Sequence, residues 1–395
     1  MQIMVHSQKK QGSLRNWMLF YTVSLLVFLN FWASVTTTPL YVLEVGGGDF
    51  HSGLQGTLFF IGAVIFRIYL GPLSDRKGRK LPLLIGAFVF GSTPLLLYFA
   101  RSVWAVVFIR IYQSIGLAAY FASGPAFVGD VAPFHRMGTY MGLYRLMSAS
   151  GLLIGPFLAL YMINHYNYGT WFLGSFGIGL LAFFLMLMVH GPKAQAREKP
   201  KFFYQTKEVL KDPGLREIYV GIAIFSFVSG IIFTFAPVYL ERITTLENSG
   251  LFFTIYSLAG IVASIVVGKL LDHRSPLGII LLLGLGYGIG LILIPVVGIF
   301  SEVMFLAGGL MGMGYAGAVL GLTTRLIKTV SLESRAIALS LQENTIDVFI
   351  AAGSFVFSGM IPLLGYHLSF IMMGILIVGV MILRYRKEKA TATVV

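Results

Sequence analysis

The sequence contains no cysteine, which excludes disulfides and thiolate metal sites. Charge is scarce too: only 11% of the 395 residues are Asp, Glu, Lys or Arg, and just 16 are acidic. A chain this long with so few charges cannot cover a water-exposed surface. Also missing are a Walker loop, an H-E-x-x-H or H-x-x-x-H pair and a G-x-S-x-G elbow, and the seven histidines lie mostly in loops. An enzymatic role therefore finds no support. The absence of a nucleotide fold leaves gradients as the energy source for any transport.

What is present is apolar surface, at 57% hydrophobic residues with 46 glycines. A bilayer core about 30 Å thick needs roughly 20 apolar residues per helix. Twelve such runs can be drawn, over residues 17–43, 53–72, 81–100, 103–128, 138–163, 170–190, 216–240, 250–271, 277–300, 303–327, 336–362 and 367–384. The expected fold class is an all-α membrane protein. The N-terminal "MQIMVHSQKKQGSLRNW" is polar and the run behind it is long enough to span, so helix 1 is expected to anchor itself without a cleaved signal.

The 29 Lys and Arg are unevenly placed. With the N-terminus inside, only Arg101 and Arg242 fall in outer segments, while Arg67, Arg110 and Arg145 lie within spans. All the others are inner, which puts both termini in the cytoplasm. The formal charge of +13 is thus a topology signal and not a nucleic-acid footprint.

Three parts follow: residues 1–190, a polar linker over 191–215 and residues 216–395. The linker stretch "FFYQTKEVLKD" has the pattern of a short amphipathic helix on the inner membrane surface. The two long parts look related. Setting "GPLSDRKGRK" (71–80) against "GKLLDHRSPL" (268–277) pairs Gly71 with Gly268, Leu73 with Leu270 and Asp75 with Asp272 at one offset. Each segment follows the second helix of its half, as in a duplicated transporter fold whose substrate site lies between the halves.

These residues carry a resemblance over essentially the whole chain. "GPLSDRKGRK" resembles the major facilitator superfamily signature G-x-L-x-D-R-x-G-R-[KR] through Gly71, Leu73, Asp75, Arg76, Gly78, Arg79 and Lys80. "RIYQSIGLAA" in helix 4 is similar to the family's R-x-x-Q-G-x-G pattern, with Ser114 where Gly is usual, and "GDVAP" closes that helix. The resemblance implies twelve transmembrane helices in two pseudo-symmetric six-helix bundles, rocking between inward and outward access. It also implies a conformational latch of Gly71, Asp75, Arg76, Gly78, Arg79 and Asp130. In it Asp75 would cap helix 11 and Arg76 or Arg79 would pair with Asp130. In helix 5, Gly151, Gly155 and Pro156 are similar to the G-x-x-x-G-P-x-x-G-G motif of proton-coupled antiporters, although Ala159 and Leu160 replace its final glycines. Two small residues four apart also permit ordinary close helix contact.

Ionisable groups at bilayer depth are functional candidates because they are costly there. Arg110 lies about two turns into helix 4, and the resemblance implies a part in proton coupling or substrate contact. Glu343 and Asp347 sit four apart on helix 11 and share a face. Two neighbouring carboxylates in a dry site do not both ionise easily, so one of them is expected to carry the proton. The competing reading of Asp347 is a buried acid paired with an arginine. Arg145 on helix 5 is the expected partner of Glu343 or of an anionic substrate. Arg67, one turn before Gly71, is expected to support the latch or reach the inner interface.

The expected substrate cavity is lined by Asn30, Tyr112, Gln113, Tyr144, Arg145, Phe233, Tyr256 and Tyr315. Helix 1 has no acid within its span, which beside Arg110 and Arg145 tilts the cargo towards neutral, zwitterionic or anionic molecules. The expected function is proton-coupled efflux of a small organic molecule by a monomer in a bacterial cell membrane. Its partners are the cargo, protons and the bilayer, with no cofactor beyond the proton gradient, no metal and no nucleic acid. The alternatives are a proton symporter importing a small organic anion and a lipid or glycolipid flippase. A non-transporting receptor on the same scaffold would bring an added cytoplasmic domain or a degraded latch, and neither is seen.

Overall fold

The apolar runs fold as helices because no other open structure satisfies its own backbone in lipid. The computed structural model describes residues 12–192, 212–243, 248–271, 276–331 and 335–393. In the first half the helices are α1 (Leu14–Glu44), α2 (Asp49–Lys77), α3 (Lys80–Phe99), α4 (Val103–Val131), α5 (Met137–His165) and α6 (Tyr168–Met188). In the second they are α7 (Pro213–Ile243), α8 (Leu251–Leu271), α9 (Pro276–Val297) and α10 (Val303–Thr329). A last continuous element, Arg335–Thr393, is broken at Gly365, whose φ of 70° is not helical. It therefore gives α11 (335–364) and α12 (366–393), and the described residues form the twelve expected long helices.

Local chemistry sets several ends. The side chains of Ser13, Ser102 and Asn167 accept from the backbone N–H three residues on, at 3.3, 3.3 and 2.8 Å, and start α1, α4 and α6. One boundary differs from the sequence expectation. α2 does not stop at residue 72 but runs through Pro72 to Lys77, so most of "GPLSDRKGRK" is helical. Gly78, with φ at 85°, ends it, because that backbone region is open to glycine at no steric cost. Asp272 and residues 202–211 of the linker stretch "FFYQTKEVLKD" lie outside the described residues.

The chain divides into two compact units, one holding α1 to α6 and the other α7 to α12. Each repeats one packing scheme. α1 packs on α5, α2 on α4, and α3 on both α4 and α6. Correspondingly α7 packs on α11, α8 on α10, and α9 on both α10 and α12. A matched hydrogen bond marks the duplication. The Tyr41 hydroxyl of α1 lies 3.3 Å from the Leu97 carbonyl at the end of α3, beside its shorter bond to the Ala100 carbonyl at 2.7 Å, and the Tyr239 hydroxyl of α7 donates to the Pro295 carbonyl at the end of α9 (3.3 Å). The spacing from Tyr41 to Tyr239 equals that from Leu97 to Pro295. This second register, one residue longer than that of the Gly71 and Gly268 motifs, comes from side chains that no motif search would pair.

Candidate functional site: buried polar clusters in the two units

In the first unit the most deeply buried charge among the described residues is Arg110 of α4, with 1% of its surface exposed. Its Nε donates to Gln55 Oε1 of α2 at 2.7 Å, and its Nη1 donates to Ser34 Oγ of α1 at 3.2 Å and to Gln113 Oε1 one turn along α4. The guanidinium carbon stands 3.8 Å from the Phe59 ring centroid. Gln113 Nε2 donates to Ser34 at 3.1 Å, Ser34 meets Thr38 at 3.2 Å, and Gln55 Nε2 donates to the Ser52 carbonyl at 2.9 Å. No carboxylate among the described residues pairs with Arg110. A cation taken out of water is normally repaid by an anion. Here neutral acceptors and an aromatic face do the work.

The other first-unit residues expected at the cavity have definite placements. Asn30 is buried, and its amide exchanges two hydrogen bonds with Ser175 of α6, at 3.1 and 2.7 Å. The Tyr112 hydroxyl meets Ser92 of α3 at 2.8 Å. Tyr144 is buried between Phe20 and Phe28, with ring centroids 5.9 and 5.4 Å away. Asn30, Tyr112 and Tyr144 thus fasten helices to one another, and only Gln113 joins Arg110. Arg145 is exposed on α5. Ser34, Gln55 and Phe59 escaped the sequence reading, although Gln55, an amide in an otherwise apolar run, carried a signal.

At the junction of α2 and α3, Arg79 Nε lies 2.8 Å from Asp130 Oδ2 at the end of α4. Its Nη1 donates to Ser74 Oγ at 3.0 Å, and Ser123 donates to the same hydroxyl at 3.0 Å. Of the two arginines offered for Asp130, Arg79 makes this pair, while Arg76 is exposed. The Asp75 side chain lies outside the described residues. A Cβ on Gly71 would meet nothing within 4 Å.

On α5, a Cβ on Gly151 would come within 2.7 Å of the Phe28 carbonyl carbon, and one on Gly155 within 2.7 Å of the Leu29 oxygen. Pro156 follows inside the helix. The second unit has the same device, with Gly353 of α11 pressed on Phe227 of α7 and Gly230 of α7 pressed on Ile350. Small residues in both units serve close approach of the paired helices.

The second unit brings together several expected residues. Asp347 of α11 is 7% exposed, whereas Glu343 one turn earlier is exposed. Tyr315 of α10 is half-buried and within electrostatic range of both carboxylates. Its ring lies 6.3 Å from that of Tyr287 on α9, whose hydroxyl is 2.7 Å from Ser229 Oγ of α7. Tyr256 of α8 approaches Tyr287, Tyr315 and Ser229, and its ring meets Phe233 edge-on at 5.9 Å. Beside them Gln342 donates to Thr323 of α10 at 2.9 Å. Tyr287 was missed because it sits in an apolar run without a neighbouring polar residue to mark it, and Ser229 because two serines one turn apart, Ser226 and Ser229, are a weak mark in such a run. Among the described residues no three His, Asp or Glu side chains gather as a metal site would require.

Two six-helix units of one packing scheme, each with a polar cluster inside an apolar shell, define a repeated all-helical fold of membrane-spanning length. The family model described as Major Facilitator Superfamily matches residues 20–324 and 248–394, and the chain belongs to that family. It is 26% identical over 251 residues to Multidrug resistance protein MdtG of Escherichia fergusonii, covering 60% of this chain and 61% of that protein. The match to the protein of the same name from Escherichia coli (strain K12 / DH10B) has the same identity and extent. The chain thus spans 61% of the length of these curated relatives. Among solved structures it is similar in fold to a POT family transporter in complex with a thioalcohol conjugated peptide. That match has a TM-score of 0.82 at 13% identity and covers 98% of this chain and 99% of the other. A D-xylose-proton symporter matches with a TM-score of 0.71 at 18% identity, over 93% and 96%.

Proposed function

We propose that the protein exports a small organic molecule from the bacterial cytoplasm in exchange for protons, as a monomer in the cell membrane with both termini inside. The observation that carries this is Asp347, a carboxyl almost wholly buried on α11 and grouped with Tyr315. A buried carboxyl is costly to ionise and cheap to protonate, so it can load a proton in one access state and release it in the other. The similarity to MdtG, named as a multidrug resistance protein, supports export as the direction. Arg110 supplies a fixed positive charge in the first unit, and the Arg79 and Asp130 pair braces the latch end of α2 and α4.

Import of a small organic anion is the competing reading, and the Arg110 charge without a carboxylate favours it. Arg110 is nevertheless enclosed by Gln55, Ser34, Gln113 and Phe59, which already occupy its donors and its face. Everted vesicles under an imposed pH gradient separate the two. Accumulation that requires an acid interior supports export, and indifference to the gradient defeats both readings.

A further inference from the structure

The end of α6 is held from two directions. Its last turn closes where the Val189 N–H donates to the Met186 carbonyl at 3.2 Å, and Val189 is wholly buried. Just beyond, the Asn16 side chain of α1 meets the His190 backbone reciprocally. Asn16 Nδ2 donates to the His190 carbonyl at 3.0 Å, and the His190 N–H donates to Asn16 Oδ1 at 2.8 Å. Asn16 is 3% exposed, so an amide has been taken out of water to hold a stretch of backbone whose own side chain is exposed. From the other side Lys80, the first residue of α3, donates from Nζ to the Leu187 carbonyl at 2.8 Å. Gly191 passes so close that an added Cβ would come within 2.9 Å of the Lys80 Cβ.

The last carbonyls of a helix need partners, and capping by itself would account for Lys80. Two observations go further. The first is the duplication. The spacing that relates Tyr41 to Tyr239 also relates the bond from the Tyr21 hydroxyl to the Tyr140 carbonyl (2.9 Å) to that from the Tyr219 hydroxyl to the Ala338 carbonyl (3.0 Å). In that register Asn16 and Lys80 fall on Gly214 and Gly278, which carry no side chain, and where α6 gives way to the linker α12 continues as helix. The fastening is therefore no part of the scheme that both units need, and it stands where the polar linker begins.

The second is the place of Lys80. Between Lys77, where α2 ends, and Lys80, where α3 starts, lie only Gly78 and Arg79. Arg79 reaches Asp130 at the end of α4, so adjacent residues of one tight junction hold α4 with one side chain and the exit of α6 with the next. Neighbouring Cα atoms are about 3.8 Å apart, and neither residue can shift far without the other.

We propose that residues 187–191 form a strap that ties the polar linker to the Arg79 and Asp130 pair: with the pair made the strap is seated, and breaking the pair releases it. Asn16 and Lys80 are its positioning residues. The linker then takes its freedom from the state of the latch end, whatever the cargo and the direction of transport. Such coupling is reciprocal, so unseating the strap weakens the pair by the same factor.

Hydrogen–deuterium exchange of the purified full-length protein reads the strap at the His190 amide, whose acceptor is the Asn16 side chain. Asn16→Ala is expected to raise exchange there about tenfold, the worth of one hydrogen bond. Arg79→Gln and Asp130→Asn, which break the pair, should each raise it about fivefold. Reciprocally, Asn16→Ala and Lys80→Met should accelerate proteolysis at the α2 to α3 junction. Combining Asn16→Ala with Arg79→Gln should give less than the product of the two single effects. Unchanged His190 exchange in both Arg79→Gln and Asp130→Asn overturns the proposal, as do single effects that simply multiply. A rise in exchange spread evenly over α1, α3 and α6 would mark ordinary packing and overturn it too. If Asn16→Ala fails to accumulate as folded protein, Lys80→Met carries the reciprocal arm alone, and normal proteolysis of that variant counts against the strap.

Discussion

Arg110 and Gln55 are joined at 2.7 Å across α4 and α2, a charged donor on a neutral acceptor with no carboxylate among the described residues to complete the pair. Removing such a charge strands no anion, which sets it apart from breaking a buried ion pair. Arg110→Met is therefore expected to fold, with a melting temperature in detergent equal to or above that of the wild type, and to lose transport. Arg110→Lys, lacking the planar fork that serves Gln55, Ser34 and Phe59 together, should lose transport as well. A melting temperature depressed by more than about 4–8 °C, the equivalent of roughly 1 kcal/mol in a small domain, would assign Arg110 to the scaffold instead.

Asp347→Asn keeps the shape of the side chain and removes its titration. Proton-driven accumulation in vesicles is expected to vanish, while equilibrium binding of cargo persists. Glu343→Gln should have the smaller effect, because Glu343 is exposed where Asp347 is buried. Undiminished transport in both variants would return the acids to a structural role.

The Arg79 and Asp130 pair predicts a charge-swap result. Arg79→Gln and Asp130→Asn each remove a charge-assisted hydrogen bond worth about 1.5–3 kcal/mol. Each should accelerate proteolysis at the α2 to α3 junction and alter turnover without changing which cargo is chosen. The double exchange Arg79→Asp with Asp130→Arg should recover part of the loss. A shifted cargo profile in either single variant would argue that the pair touches the cargo.

Glycine substitutions should fall into two classes. Gly155→Ala drives a methyl towards the Leu29 carbonyl and is expected to cost about 1–3 kcal/mol through overpacking, seen as reduced yield and a lower melting temperature. Gly71→Ala meets open space and should leave yield unchanged. Equal behaviour of the two would show that the close approach of α1 and α5 is not the constraint.

Helix count could be read from the sequence, because hydrophobic length in a bilayer is a local property of the chain. The break at Gly365 fell in the gap drawn between residues 362 and 367 for the same reason. The continuation of α2 to Lys77 was not legible: Pro72 and the charges after it suggest an end, yet a single proline removes one hydrogen bond, and the positive-φ glycine is what stops the helix. Arg110 announced itself as a charge in an apolar run. Its shell did not, since Ser34 and Gln55 become its partners only when α1 and α2 pack against α4. Asn30 and Tyr112 are engaged by α6 and α3, for a polar side chain in a membrane helix is as readily bound by a neighbouring helix as offered to a cavity.

The neutral shell around Arg110 also gives the membrane voltage a handle. A guanidinium neutralised by a carboxylate moves through the bilayer field as a dipole, whereas Arg110, with no carboxylate beside it among the described residues, would carry its full charge in any displacement. Any part of the potential that falls across its displacement does work on it, up to about 2.3 kcal/mol for each 100 mV. The side that the empty transporter faces should then depend on electrical polarisation even where the exchange of cargo and protons carries no net current.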